Sequence, residues 1–521
     1  VGNGDVGVGV WNGATNNLIG GTVAGAANVL SGNVNYGIVL GGANGNLIQG
    51  NVIGADPTGL RALGNHFAGV GIWGGATGNT VGGTTVAAAN VISGNDSEGI
   101  LLSDAGTGGN LIEGNFIGVG RRGTNIVANG FCGIGVWTSA GTNTVGGTAA
   151  GLGNVVSGNG SYGVVIGGAN ANGNIVQGNF IGTDVSGKIA LANGFAGLAV
   201  WGASGGNLLG GTTAGAANLI SGNTTYGVFI SDTNTSGNLV QGNCVGADIT
   251  GTNALGNGFA NVGLQNGATG NFIGGLPPGA GNTIAFAGGP GVVLYDASTT
   301  NNAIRGNSIF GNGALGIDLN NDGVTLNDAG DADTGPNNLQ NFPVITNAFG
   351  YAASTIVLGK LNSKASRSFS IDVYRNLAAD SSGYGEGQFY VGSVSVTTDG
   401  SGSALFALTN TTGNYAGQYF SATATSAGGD TGEFGADVPA TNQPAPFSQF
   451  SGPLVWRTNG FVLTLTLATN FNYRLQATTN LGANPVVWID LTNYSANSSS
   501  LTFTDRTATN YRLRFYRAVS P

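Results

Sequence analysis

The sequence predicts an all-β protein, in which a parallel β-solenoid of about ten coils is followed by two small β-sandwich domains. Three observations support this fold class. Of 521 residues, 100 are Gly and only 7% are charged, whereas ordinary soluble domains contain about 7% Gly and about 25% charged residues. One short motif recurs at nearly constant spacing. Between its copies, apolar residues alternate with small or polar ones, which is strand periodicity punctuated by turns.

The recurring motif begins with Asn, ends four positions later with Gly and has Ile, Val or Leu at its centre. Its copies start at Asn17, Asn46, Asn79, Asn110, Asn143, Asn174, Asn207, Asn238, Asn271 and Asn302. After the first interval, a longer and a shorter interval alternate strictly, so that a two-coil module of about 64 residues repeats. A unit of short strands cannot bury its own apolar face, and stacking such units about 4.8 Å apart solves this problem. The repeated Asn predicts a ladder of side-chain amides along the stack.

Composition excludes several classes of protein. With 15 basic residues and a net charge of −9, the chain lacks the clustered Lys and Arg that nucleic-acid binding requires. No apolar run reaches the roughly 18 residues of a membrane-spanning helix. The sequence begins at Val1 and contains no Met, which fits an exported chain after removal of its signal. An extracellular or cell-surface location is therefore expected.

The predicted domains follow from shifts in pattern along the chain. Residues 1–341 form the solenoid and an acidic terminal loop, and residues 342–440 contain alternating strands typical of a β-sandwich. A Pro-containing linker covers residues 441–449, and residues 450–521 form a second small β-domain.

The solenoid repeats resemble those of a known group of proteins. The segments NLIQGNVIGADPTG and GVGIW are similar to right-handed parallel β-helix repeats of large secreted bacterial surface proteins. The domains that follow resemble the Ig-like and small C-terminal β modules of such proteins. The resemblance implies a fold more than a function, because pectate lyases, polygalacturonases, phage tailspikes and adhesins share it.

An acidic segment near the end of the solenoid is the candidate metal site. Five carboxylates fall close together in this one segment: Asp318, Asp322, Asp328, Asp331 and Asp333. Oxygen ligands at short spacing, with Gly at the turns, suit a hard cation such as Ca²⁺. We expect a structural Ca²⁺ that joins the last coil to the next domain. The alternative is a loop of Asx turns whose acids are solvated.

The candidate catalytic acids are three repeat-related carboxylates, because β-helix enzymes act through carboxylates in a groove. Asp56, Asp184 and Asp248 each occupy the same position after a ladder Asn. A carboxylate followed by x-Thr-Gly or x-Ser-Gly is typical of an Asx turn. The isolated His66 has no nucleophile in a recognisable motif beside it. The sequence therefore predicts no catalytic residues and no enzyme.

Aromatic residues recur with the two-coil module. Phe67, Phe131, Phe195 and Phe259 follow a turn and are expected to stack inside the solenoid. In GVGIW, Val70 and Ile72 share one parity, which places Trp73 on the outer face. The candidate interface therefore consists of the Trp column: Trp11, Trp73, Trp137 and Trp201. An exposed apolar stripe of this kind marks a partner surface, unless neighbouring turns cover it.

These features favour an extracellular structural protein without catalysis, a self-assembling subunit of a surface fibre, sheath or adhesin. Its partner would be another copy of itself, because a nearly uncharged surface opposes packing only weakly. The first strand, in VGNGDVGVGVW, has no polar cap and would favour head-to-tail contacts. Two alternatives remain: a β-helix that binds or degrades polysaccharide, and an ice-binding protein with flat ranks of Thr and Asn.

Overall fold

The computed structural model describes residues 2–351, 354–442, 448–452, 455–468, 471–483 and 485–520. They form two compact units. The first comprises Val1–Ala348, Ile356–Asn410 and Gly417–Ala440, and the second comprises Phe349–Thr355, Thr411–Ala416 and Thr441–Pro521. Within the predicted linker, residues 443–447 lie outside the described residues, and the predicted domain boundaries stay predictions.

The solenoid consists of three parallel sheets, and the all-β prediction with about ten coils is confirmed. In each sheet, strands pair with the equivalent strands of the coils before and after. The first sheet contains Val8–Trp11, Ile38–Gly41, Val70–Trp73, Ile100–Leu102, Cys132–Trp137, Tyr162–Gly167, Ala196–Trp201, Tyr226–Ser231, Ala260–Gln265, Val292–Leu294 and Ile317–Leu319. The second contains Leu18–Gly20, Leu47–Gln49, Thr80–Gly82, Leu111–Glu113, Thr144–Gly146, Ile175–Gln177, Leu208–Gly210, Leu239–Gln241, Phe272–Gly274 and Ala303–Arg305. The third contains Val29–Leu30, Val52–Ile53, Val91–Ile92, Phe116–Ile117, Val155–Val156, Phe180–Ile181, Leu219–Ile220, Cys244–Val245, Thr283–Ala285 and Ser308–Phe310.

The core is a stack of branched aliphatic side chains from all three sheets. In the first sheet, Ile100 lies between Val70 and Ile134 of the neighbouring coils, and all three are fully buried. Successive residues of a strand point to opposite faces, so this inward row alternates with an outward row. Each buried aliphatic side chain contributes about 1.5–3 kcal/mol relative to exposure. The repeat therefore places one core layer in every coil.

Three Asn ladders line the turns of the solenoid. The ladder predicted from the repeated motif is confirmed, and two further ladders precede the third sheet and the first sheet. In all three, an amide Nδ2 donates to the Oδ1 of the next coil at 2.7–3.3 Å. The predicted ladder runs through Asn17, Asn46, Asn79, Asn110, Asn143, Asn174, Asn207, Asn238, Asn271 and Asn302. The others run through Asn28, Asn51, Asn90, Asn115, Asn154, Asn179, Asn218, Asn243, Asn282 and Asn307, and through Asn33, Asn65, Asn95, Asn129, Asn159, Asn193, Asn223 and Asn257.

A seven-stranded sheet follows the solenoid. Its strands are Val344–Gly350, Thr355–Asn362, Ser368–Asn376, Phe389–Thr397, Ser403–Asn410, Tyr419–Ser426 and Val438–Asn442. The strand Ser368–Asn376 pairs antiparallel with two neighbours and alternates buried and half-buried residues over part of its length. A single 3₁₀ turn, Pro336–Leu339, lies between the last coil and this sheet.

Within the first unit, side chains from this β-rich region cover the last coil. Open strand edges present unpaired N–H groups, and here they find acceptors outside the solenoid. Glu433 accepts from Leu319 and Thr325 at 2.9 and 2.8 Å, and Glu386 accepts from Gly311 and Asn312. The side chain of Arg305 forms a two-pronged ion pair with Asp372. Residues of the same unit thus cover the C-terminal edge of the solenoid.

The second unit contains two antiparallel sheets. One comprises Ser448–Phe450, Val455–Arg457, Gly460–Leu467 and Ser500–Asp505, and the other Asn472–Thr478, Ile489–Ser495 and Phe515–Val519. A second 3₁₀ turn spans Ala508–Asn510. The core of the second unit includes Leu463, Leu465 and Tyr473. No helix in the described parts of the chain is long and apolar enough to cross a membrane.

Candidate functional site

The four predicted interface Trp residues lie on the outer face of the first sheet. Their neighbours in the strand, such as Ile72 beside Trp73, point into the core and are fully buried. Trp11 is 43% exposed, while Trp73, Trp137 and Trp201 are half-buried. The outward direction inferred from strand parity is therefore correct for all four residues, and their role as an interface stays a proposal.

Glycine allows these indole rings to lie flat against the sheet. A Cβ atom at Gly71 would be 2.4 Å from the ring of Trp73, and one at Gly135 would be 2.3 Å from the ring of Trp137. Gly41, on the coil between Trp11 and Trp73, has the ring of Trp11 equally close. Since a side chain at these positions would displace the rings, the Gly-x-Trp pattern positions flat aromatic faces on the sheet.

The expectation that the Phe column stacks inside the solenoid is wrong. Phe67 is 39% exposed, and Phe131, Phe195 and Phe259 are half-buried on the outer face. The interior at this level is occupied by the third Asn ladder, whose members lie two positions before each Phe. A buried amide in a continuous ladder needs its partners in the adjacent coils, so the Asn takes the inward position and the Phe is left outside.

The Phe, Trp and Tyr side chains form two groups of contacting rings along the outer face of the first sheet, called here together the aromatic ribbon. Its rings contact one another at centroid distances of 4.9–6.2 Å, mostly edge to face. This range is the preferred one for aromatic pairs. The ribbon comprises Trp11, Tyr36, Phe67, Trp73, Phe131, Trp137, Tyr162, Phe195, Trp201, Tyr226, Phe229 and Phe259.

The candidate catalytic acids are acceptors in turns. Asp56 accepts from the Thr58 hydroxyl and from the backbone of Leu60, and these bonds lower its pKa. Hydrogen bonds from Asn253 and Thr250 lower the pKa of Asp248 far below its usual range. Asp184 accepts in the same way from Ser186. Carboxylates held ionised by local donors suit turn formation better than proton transfer.

His66 is exposed, and its Nδ1 lies 3.9 Å from Asp96. Since both side chains are more than half exposed, this contact adds little to stability. The pair of His66 and Asp96 lies on the outside of the third and fourth coils, beside Phe67 of the aromatic ribbon.

The five predicted metal ligands separate into two groups. Oxygens of Asp328, Asp331 and Asp333 lie within 4.8 Å of one another. Asp318 is buried in the last strand of the first sheet and accepts from the backbone of Asp322 at 3.2 Å. A single ion therefore has three carboxylates of the predicted five within its reach.

The three clustered carboxylates repel one another. Asp331 is buried and accepts from Ser363 and from the backbone of Asn341, whereas Oδ1 of Asp333 is buried without a hydrogen-bond partner. Burial and the neighbouring acids, Asp328 first, raise the pKa of Asp333. A cation at this point would supply the missing partner and offset the repulsion.

One residue of the ribbon face was not recognised from the sequence. Glu98 is buried at a position where three other coils carry Tyr, and its Oε2 has no hydrogen-bond partner. The signal was present in the repeat, because YGIVL, YGVVI and YGVFI align with EGILL.

No protein-family model matches the sequence, and no curated protein matches it. Among solved structures, the enzymatically active domain of tailspike protein 2 from bacteriophage CBA120 is similar, with a TM-score of 0.31 and 9% identity over 88% of this chain and 70% of that chain. No correspondence of individual residues follows from so distant a likeness. What the architecture itself establishes is that this chain is a parallel β-helix protein.

Proposed function

We propose that this is an extracellular protein without catalytic activity that binds polysaccharide through the aromatic ribbon. The observation that carries this proposal is the ribbon itself, because its Trp rings and most of its other rings are partly exposed on the outer face of the first sheet. The C–H face of a pyranose ring is apolar and packs on such rings, while its hydroxyls stay hydrated at the rim. Monomeric soluble proteins rarely leave a large exposed apolar patch without a partner.

We propose that catalysis is absent because the candidate catalytic carboxylates already serve as hydrogen-bond acceptors in turns. The three repeat-related carboxylates, Asp56, Asp184 and Asp248, are engaged by donors within their own turns. None of them belongs to the ribbon. We therefore expect the protein to release no reducing ends from polysaccharides that it binds.

Loss of ring faces should weaken polysaccharide binding. The double variant Trp73→Ala/Trp137→Ala removes two indoles, each worth about 0.5–1.5 kcal/mol beyond its buried area. We expect at least about a tenfold loss of affinity for chitin or cellulose in sedimentation assays. The matched control is Trp456→Ala, which removes a Trp that is 58% exposed in the second unit. Equal binding by the double variant and the control would contradict the assignment of the ribbon, and circular dichroism checks that both variants keep their β structure.

Self-assembly through the ribbon is the second candidate function. Its supporting observation is the scarcity of charge, 7% of residues, which leaves little repulsion between rods. Analytical ultracentrifugation over a wide concentration range separates the two functions. A monomer that binds polysaccharide supports the first, whereas association that the Trp73→Ala/Trp137→Ala variant abolishes supports the second.

We further propose that Asp328, Asp331 and Asp333 hold a structural Ca²⁺. A cation that binds the folded state only should raise the free energy of unfolding by about 3 kcal/mol at a hundredfold excess over its dissociation constant. Calorimetry should therefore show a higher melting temperature in Ca²⁺ than in a chelator. Asp333→Asn should abolish this difference and raise stability in chelator, because it removes one of the repelling charges.

The control for the Ca²⁺ prediction is Asp322→Asn, which changes an acid of the same segment outside the cluster. This variant should respond to Ca²⁺ like the parent protein. Identical melting curves of the parent in Ca²⁺ and in chelator would refute the metal site.

A further inference from the structure

The aromatic ribbon is interrupted at one coil, where Glu98 replaces a Tyr. The equivalent residues are Tyr36, Tyr162 and Tyr226, which occupy the same position in the other two-coil modules. The strand register supports the equivalence. Ile100 and Val164 both pair with Ile134, and Glu98 and Tyr162 each lie two positions before these residues.

The replacement divides the ribbon into two segments. Tyr36, Phe67 and Trp73 contact one another on one side, and Phe131, Trp137 and Tyr162 do so on the other. Among the described residues, no ring contact joins these two groups. The ring contacts are therefore interrupted at the coil with Glu98, which lies between the coils of Trp73 and Trp137, and this interruption is called here the gap.

Two residues, one in the interrupted coil and one in the next coil, each carry a buried polar atom without a partner. Glu98 is only 6% exposed, and its Oε2 has no hydrogen bond. The indole Nε1 of Trp137 is likewise buried and unpaired. An unpartnered carboxylate in an apolar setting destabilises a fold. Tyr fits this position in three other coils, so Glu98 is less favourable for stability than the residue it replaces. A residue that lowers stability in this way is expected where its carboxylate binds a ligand.

Two further acids accompany Glu98 in its coil. Asp96 and Asp104 lie on the same coil, and neither Lys nor Arg forms an ion pair with Glu98 within the part of the chain that the structure describes. Burial, then Glu98 and Asp104, raise the pKa of Tyr36 to about 12. The Tyr36 hydroxyl is therefore within electrostatic range of both carboxylates. Because its pKa is about 12, it stays protonated and can donate a hydrogen bond.

We propose that this gap is a subsite for the protonated amine of an amino sugar, so that the ligand of the ribbon is a polymer containing hexosamine with free amino groups. This inference rests on the proposed polysaccharide-binding function and specifies its substrate class. An ammonium group satisfies the lone carboxylate by a charge-assisted hydrogen bond. A neutral sugar would leave Glu98 unpaired.

The test compares two oligosaccharides that differ only in their amines. Affinities of the full chain for a glucosamine hexamer and for an N-acetylglucosamine hexamer are measured by calorimetry at about pH 5.5, where sugar amines are protonated. We expect the glucosamine hexamer to bind at least about tenfold more tightly. Equal affinities would overturn the subsite and leave the ribbon as a binding surface, whereas absence of binding by both would overturn the ribbon as well.

Two variants of Glu98 and one control complete the test. Glu98→Gln and Glu98→Tyr should bring the two affinities to within about twofold and should raise the melting temperature, because both remove a buried charge. Glu113→Gln, a half-buried Glu on the second sheet, should keep the preference for glucosamine. A preference that survives in both Glu98 variants would refute the proposal.

Discussion

Replacing Asn154 by Asp should unfold much of the solenoid or lower its stability severely. Asn154 is fully buried in the middle of the second ladder. Its Nδ2 donates to Ile112 O at 2.8 Å and to Asn179 Oδ1 at 2.9 Å. Its Oδ1 accepts the backbone N–H and the Nδ2 of Asn115, both at 3.0 Å. A carboxylate would face two acceptors with no proton to donate, which leaves an uncompensated buried charge costing about 3–5 kcal/mol.

The measurement is the melting temperature by circular dichroism, together with the yield of soluble protein. Asn234→Asp makes the same chemical change at an exposed turn residue with positive φ, a conformation that Asp also tolerates. We expect the control to stay within about 0.5 kcal/mol of the parent in stability. If Asn154→Asp matched that control, the ladders would be incidental to stability.

The second large effect is expected at the ion pair between the last coil and the following sheet. Nε and Nη2 of Arg305 each donate to Asp372 at 2.7 Å, and Nη2 also donates to Ser393 at 3.0 Å. The Asp372 side chain is fully buried. Asp372→Ala leaves the largely buried Arg305 guanidinium without its carboxylate partner. The free energy of unfolding of the first unit should therefore fall by about 3–5 kcal/mol. Hydrogen exchange should then accelerate at the edge strands Ala303–Arg305 and Ser308–Phe310.

An exposed ion pair provides the comparison. Arg474 and Asp490 lie 3.9 Å apart with both side chains nearly half exposed, so Arg474→Ala should change stability by less than about 1 kcal/mol. The double variant Arg305→Met/Asp372→Leu should recover most of the stability, because a well-packed apolar pair replaces a buried ion pair at little cost. An Asp372→Ala variant with unchanged exchange at the last coil would contradict the capping role.

The sequence alone was sufficient for the features that repeat. The regularly spaced Asn of the motif determined the coil length, and with it the parallel stacking of equivalent strands and the first amide ladder. The parity of Val70, Ile72 and Trp73 was enough to place the Trp column outside. Such features can be predicted because every coil packs between two similar coils. Residues that recur at the coil length in the sequence therefore stack above one another in the structure.

Only the tertiary structure decided features that occur once or depend on competition for the same space. The Phe column was placed inside from its turn position, yet the Asn two positions earlier lies inside, where its amide pairs with those of the adjacent coils, and the Phe lies outside. Asp318 and Asp322 are near Asp328 in the sequence but lie outside the cluster that Asp328 forms with Asp331 and Asp333. Asp318 belongs to the last strand, Ile317–Leu319, and the chain leaves that strand before it reaches the cluster. Arg305 and Asp372 meet from distant parts of the chain without any period. The unpaired state of Glu98 is likewise a property of its packed surroundings, because burial and the lack of a donor depend on neighbouring coils that no local pattern specifies.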